Sequence, residues 1–121
     1  FKIIESKTTK IAHVTSPETK IHSTQDAIDL MGNANCQGAN SIILHQDNLH
    51  PDFFDLKTGI AGEILQKYSN YRIKLAIIGD FSGYDSKALQ AFITESNRSG
   101  PVFFLPDLET AMDRLSAGGA R

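Results

Sequence analysis

The strongest constraint on the fold lies in residues 53–82, FFDLKTGIAGEILQKYSNYRIKLAIIGDFS, where an amphipathic helix pattern leads straight into a continuous apolar run. Ile60, Ala61, Ile64, Leu65 and Tyr68 fall at i, i+1, i+4, i+5 and i+8, which gathers them on one helical face. Glu63 and Lys67 take the favourable i,i+4 order on the polar side. Residues 73–79, IKLAIIG, lack the alternation of a half-exposed strand and read as a strand buried on both faces. Such a strand needs a layer on each side, and the helix beside it supplies one, so the chain is α/β.

The rest of the chain extends this pattern. Lys2-Ile3-Ile4-Glu5 and residues 10–15 predict two short strands joined through Ser6-Lys7-Thr8-Thr9, most simply a β-hairpin. Lys20-Ile21-His22 is a brief extended segment. Ser23, with Asp26 three residues on, resembles a capping box and starts a helix whose apolar face holds Ala27, Ile28, Leu30 and Met31; Gly32 or residues 33–38 end it. Residues 40–45 form a buried central strand that runs out at Gln46-Asp47-Asn48. Pro51-Asp52 then makes a turn or a one-turn helix that presents Phe53, Phe54 and Leu56 to the core, and the next helix begins near Lys57 or Thr58.

Gly59 and Gly62 each cost that helix about 1 kcal/mol relative to Ala, which points to close approach of a strand or a partner. Past the strand and its Asp80-Phe81-Ser82-Gly83 corner, Asp85 or Ser86 caps a helix with Ala88, Leu89, Phe92 and Ile93 facing the core. Residues 97–100 close it. Val102-Phe103-Phe104-Leu105 is a further core strand, ended by Pro106, and Asp107 caps a last helix with Leu108, Ala111, Met112 and Leu115 inward. The order predicts a single domain over residues 1–115, built on a mixed, mainly parallel sheet with an N-terminal hairpin and packed helices, followed by a flexible tail over 116–121.

Composition narrows function chiefly by exclusion. A chain of 121 residues suits one domain, 40% apolar residues is ordinary for a globular protein, and the apolar runs are too short to span a membrane. The net charge of −2, with scattered basic residues, argues against nucleic acid and anionic membranes as partners. The N-terminus lacks a secretory pattern, which makes the cytoplasm the expected compartment. The single cysteine, Cys36, reads as a helix-end packing residue or a reactive thiol. His13, His22, His45 and His50 are dispersed without metal-ligand spacing, with His45 near Asp47 and His50 near Asp52 as the only hints. Neither Gly-Lys-Ser/Thr nor G-x-G-x-x-G is present, so no cofactor is expected.

Two short segments carry the candidate chemistry. Asp80 and Ser82, with Tyr84 and Lys87 close behind, follow a core strand at its C-terminal end, where open α/β sheets place ligand-binding groups. They either form a pocket or hydrolytic corner, or merely satisfy the backbone of a turn. Asp55, Lys57, Thr58 and Gly59 stand at a helix start, where Thr58 either caps the helix or accepts a phosphoryl group.

The run TGIAGEILQKYSNYRIKLAIIGDFS, extended to Asn97 and with flanking elements from Lys2 to Leu115, resembles a bacterial family catalogued as a domain of unknown function. More distantly, the order of elements is similar to that of STAS domains, the anti-anti-sigma-factor-like regulators. In these a strand leads through an Asp-Ser-Ser-Gly-like segment into a helix, and a partner kinase phosphorylates a Ser. The resemblance implies a STAS-like fold, with Thr58 before Gly59 in the acceptor place; here the segment has an extra residue and Thr replaces Ser. The leading expectation is a cytoplasmic regulatory or protein-binding module with a phospho-switch at Thr58. The alternative is a small-molecule-binding or hydrolytic domain at the Asp80–Ser82 corner, and a third reading is a homo-oligomer packed through Gly59 and Gly62.

Overall fold

Burial divides the strand residues by parity, and this division fixes the layers. The computed structural model describes residues 1–5 and 9–119, with side chains as far as Ser116. Its elements are β1 Lys2–Glu5, β2 Lys10–His13, α1 Thr24–Cys36, β3 Ser41–His45, α2 Ile60–Asn70, β4 Lys74–Ile78, α3 Lys87–Ser99, β5 Val102–Leu105 and α4 Leu108–Gly119. The strands lie in the order β1-β2-β3-β4-β5, with β1 antiparallel to β2 and the others parallel. Right-handed crossovers between strands added successively in one direction put all connecting helices on one face. Accordingly Ala12, Ile42, Leu44, Leu75, Ile77 and Phe104 pack with buried residues of α1, α2 and α3. The alternate residues Ile11, Ile43, Ala76, Phe103 and Leu105 pack against Ala111 and Leu115 of α4 on the opposite face.

The mixed, mostly parallel sheet with four helices agrees with the expected fold class. The helix starts also follow their capping residues: Ser23 Oγ accepts from Asp26 N at 3.2 Å, Ser86 Oγ from Leu89 N at 3.1 Å, and Asp107 Oδ1 from Thr110 N at 2.8 Å. Asp26 reaches back to His22 N at 2.9 Å, one residue before the box position. The hairpin connection, residues 6–8, lies outside the described residues, as do residues 120 and 121 of the expected tail; α4 continues through residues 116–119.

Several details differ from expectation. Helix α2 starts at Ile60 rather than at Lys57 or Thr58, because Gly59 adopts φ 79° and separates a 3₁₀ turn, Leu56–Thr58, from the helix. Gly59 thus serves a left-handed backbone rather than close packing. Gly62 is exposed, and a Cβ there would meet nothing within 4 Å. Helix α1 runs through Gly32 and ends at Cys36, within the expected 33–38 stretch, but Cys36 is exposed rather than packed. Ala88 and Leu108 are exposed, and Leu89, Ile93, Ala111 and Leu115 carry the buried contacts of their helices. The Glu63 carboxylate, expected to face Lys67, accepts the Thr24 hydroxyl at 2.6 Å and ties α2 to α1. Tyr68, fully buried, adds a second tie by donating to Ala27 O at 2.8 Å.

Strand β5 is a sheet edge, and Asn97 closes it. Its Oδ1 accepts from Phe104 N at 2.7 Å and its Nδ2 donates to Phe104 O at 3.1 Å, so a side chain occupies hydrogen-bonding positions that another strand would otherwise take.

Candidate functional site

The parallel strands β3 and β4 end side by side, His45 opposite Ile78, and the chain that leaves each end builds a cleft. After β3 the polar run Gln46–Asn48 makes a 3₁₀ turn, and Asn48 turns inward to 1% exposure. Its Oδ1 accepts from His45 N at 2.8 Å; its Nδ2 donates to Thr19 O at 2.8 Å and Ser16 O at 3.1 Å. Both protons and the oxygen of this buried amide are used to hold the loop after β2 against the end of β3. Beside it, Ile21 forms a single parallel bridge with Leu49, through Ile21 N to Asn48 O at 2.7 Å and His50 N to Ile21 O at 3.0 Å. That bridge gives physical form to the extended segment expected at residues 20–22. It also brings the next residues together, so the His22 and His50 rings lie 5.1 Å apart between centroids.

Pro51 opens a second 3₁₀ turn, Pro51–Phe54, whose start is capped by His50: Nδ1 accepts from Asp52 N at 3.1 Å. The turn buries Phe53 and Phe54 and leaves Leu56 half-buried, as the sequence predicts. Phe54 stacks on Tyr84 with ring centroids 4.8 Å apart and planes 16° from parallel. On the β4 side, a Cβ on Gly79 would approach Gln46 Cβ to 2.6 Å, so the absence of a side chain lets Gln46 lie across the strand end. Gln46 Oε1 accepts from Asp80 N at 3.1 Å and Nε2 donates to Tyr84 OH at 2.9 Å. Gln90 holds the same segment from α3, donating to Phe81 O at 2.8 Å and Tyr84 O at 3.1 Å.

Together these groups line a cleft of about 560 Å³, with His22, His50, Phe54 and Tyr84 supplying rings and Lys20 and Asp47 supplying charge. Lys20 Nζ donates to Asp47 O at 2.7 Å. A smaller cleft of about 330 Å³ adjoins it through Pro17 and Asp47 and reaches His45. His45 and His13 form the second histidine pair, with Nε2 atoms 2.8 Å apart. Burial, then the neighbouring His45 and Lys2, push the His13 pKa down. Among the described residues no group of three His, Cys, Asp or Glu side chains could hold a metal ion, and no helix is long and apolar enough to cross a membrane.

Of the residues singled out from sequence, Tyr84 lines the cleft and Asp80 joins it through Gln46. Ser82 bonds Asp80 instead: its hydroxyl donates to Asp80 Oδ1 at 2.6 Å and its N–H donates to the same oxygen at 3.0 Å. These two bonds hold the Asp80 pKa below the ordinary carboxylate value. Lys87 is exposed at the first position of α3. Asp55, Lys57, Thr58 and Gly59 gather at the other end of the 3₁₀ connection, outside the cleft lining. Asp55 Oδ1 accepts from Lys57 N at 3.2 Å. The exposed Thr58 hydroxyl lies 2.7 Å from Asp52 O and 2.8 Å from Asp55 O, and accepts from Ile60 N at 3.3 Å.

The match of residues 6–115 to a known family covers nearly the whole of this architecture: its description is Domain of unknown function (DUF4180). The chain belongs to this family. Among curated proteins no sequence matches the DUF4180 chain. Sequence reasoning missed Lys20, Gln46 and Asn48 and the pairing of the histidines. Gln46 and Asn48 sit in a polar run that looks like any strand-ending loop. The histidine pairs depend on register: His13 faces Ile43 across β2 and β3, which leaves His45 as the next residue on the same face.

Proposed function

We propose that this DUF4180 domain is a regulatory module that binds a small organic ligand in the cleft at the C-terminal ends of β3 and β4. The observation that carries the reading is the Gln46 bridge. It fixes Tyr84 over Phe54 at the cleft wall, and Asn48 secures the opposite loop, so the lining is held in place by side-chain hydrogen bonds on both sides. Ligand sites of about this volume are usually lined by aromatic groups with a few placed polar atoms. Binding is favoured over hydrolysis because the Ser82 hydroxyl is committed to Asp80 in a turn. The module works in the cytoplasm and passes its ligand state to a protein partner or a second copy of the chain. A set of neutral, cationic and anionic small aromatic compounds, followed by amide NMR shifts, tests this. Saturable shifts centred on Gln46, His50, Asp80 and Tyr84 support the reading, and their absence for every compound refutes it.

A second reading is the Thr58 phospho-switch. Its support is the exposure of Thr58 just ahead of Gly59 and α2, together with the resemblance of the sequence to STAS domains. Phosphorylation would remove the hydroxyl proton now shared with Asp52 O and Asp55 O and so loosen the 3₁₀ connection. If Thr58→Glu and Thr58→Ala capture the same proteins with equal affinity, this reading fails.

A further inference from the structure

We infer that the cleft takes a small planar monoacid, an aromatic ring carrying one carboxylate. This rests on the ligand-binding role proposed for the cleft and adds the chemical class.

The inference comes from where the protons must lie. Gln46 Oε1 faces the Asp80 N–H, an interaction that only the carbonyl end of the amide can make, so Gln46 Nε2 is the group facing Tyr84. The Tyr84 oxygen is therefore an acceptor of that bond, and its own proton remains free to donate to a ligand. At His50 the Asp52 N–H donates to Nδ1. A ring that accepts at Nδ1 carries its proton on Nε2, a second donor fixed by the backbone. Lys20 uses one ammonium proton on Asp47 O and keeps two. The groups around the cleft thus offer at least three donors with protons to spare, and such a set matches an acceptor-rich anion.

Charge sets the valence. Lys20 brings one positive charge, while the Asp47 carboxylate in the lining and the Asp52 carboxylate, 3.6 Å from His50 Nδ1, oppose added negative charge. One cation facing two carboxylates suits a single negative charge better than a phosphate dianion. The rings set the rest: Tyr84, stacked on Phe54, and the His22 and His50 rings, 5.1 Å apart between centroids, give the lining an aromatic character suited to a planar aromatic partner.

Benzoate is the probe, titrated into the whole chain by NMR beside benzamide, benzylammonium and phenyl phosphate. Benzoate is expected to shift the amides of Gln46, His50 and Tyr84 and to bind about fivefold or more tighter than benzamide or phenyl phosphate. Tyr84→Phe keeps the ring stack and Lys20→Met keeps the stem, so both variants should fold; each is expected to weaken benzoate by about fivefold. Equal binding of benzamide and benzoate, tighter binding of phenyl phosphate, or benzoate affinity untouched by both variants overturns the inference. If benzamide or benzylammonium binds in the cleft and benzoate does not, the acid is wrong and the ligand-binding role stands. If no compound binds there, both fall.

Discussion

Replacing Asn48 with Ala should be among the most damaging single polar substitutions in this domain. The side chain is 1% exposed and makes three hydrogen bonds, at 2.8, 2.8 and 3.1 Å, to His45 N, Thr19 O and Ser16 O. Each such bond contributes about 1 kcal/mol net, and a buried donor left unpaired costs about 1–3 kcal/mol. The Ser16 and Thr19 carbonyls belong to a surface loop and can turn to water, whereas His45 N sits at the half-buried end of β3. The loss should therefore be about 2–4 kcal/mol, a large share of the roughly 5–15 kcal/mol that holds a domain folded. For a chain of this length that lowers Tm by about 10 °C, measured by circular dichroism, with urea unfolding to give the free energy. Asn48→Asp makes the argument sharper. It keeps the acceptor for His45 N but sets a carboxylate against two carbonyls, so at neutral pH it should be no more stable than Asn48→Ala. If Asn48→Ala lies within about 0.5 kcal/mol of the parent, or Asn48→Asp equals the parent, the latch is not what holds the loop.

The helix α2 glycines should respond in opposite directions: Gly62→Ala, with open space at its Cβ, should stabilise by about 1 kcal/mol, and Gly59→Ala, at φ 79°, should destabilise by about 1–2 kcal/mol in the same urea assay. Burial pushes the Tyr68 pKa up from 10.0, so the unfolded chain loses this proton first and stability should fall as pH rises above about 10; Tyr68→Phe should remove that slope and cost about 1 kcal/mol at neutral pH. The lowered His13 pKa has the opposite consequence. The unfolded chain binds the proton more tightly, so stability present above 6.5 is lost as pH falls below it, and His13→Gln should flatten the acid limb of a stability profile.

The layers were legible because they depend on patterns the chain repeats: apolar runs at 41–45, 74–78 and 102–105, and helix starts marked by Ser23, Ser86 and Asp107. Of the candidate cleft, only Tyr84 and the neighbouring Asp80 corner were legible. A buried Asn48 and an exposed loop Asn have the same local sequence signature, and what separates them is whether a second loop arrives with two carbonyls to fill its donors. Gln46 poses the same difficulty, since its place is set by Gly79 on a strand distant in sequence. The glycines near α2 invited a packing explanation that only Gly59's φ could replace. Information of this kind is nonlocal, and a single sequence carries it only after the strand order is known.

The strand order also explains why the cleft is made of loops. In open α/β sheets a ligand crevice commonly forms where the strand order reverses and neighbouring connections leave on opposite faces. Here the order β1-β2-β3-β4-β5 never reverses, and α1, α2 and α3 all pack on one face, so no such crevice arises from the helices. The opening at the strand ends is built instead from the loop after β2 and the connection 46–59, which spends its length on consecutive 3₁₀ turns before α2 begins. The three turns fix what the connection places: Gln46 on Tyr84, Asn48 on the opposing loop, His50 beside His22, and Phe54 under Tyr84. Shortening residues 46–59 to an ordinary strand–helix link could leave the five-stranded sheet intact, but it would remove the cleft. The cleft of this fold therefore lies in that connection, with the sheet serving to hold its ends.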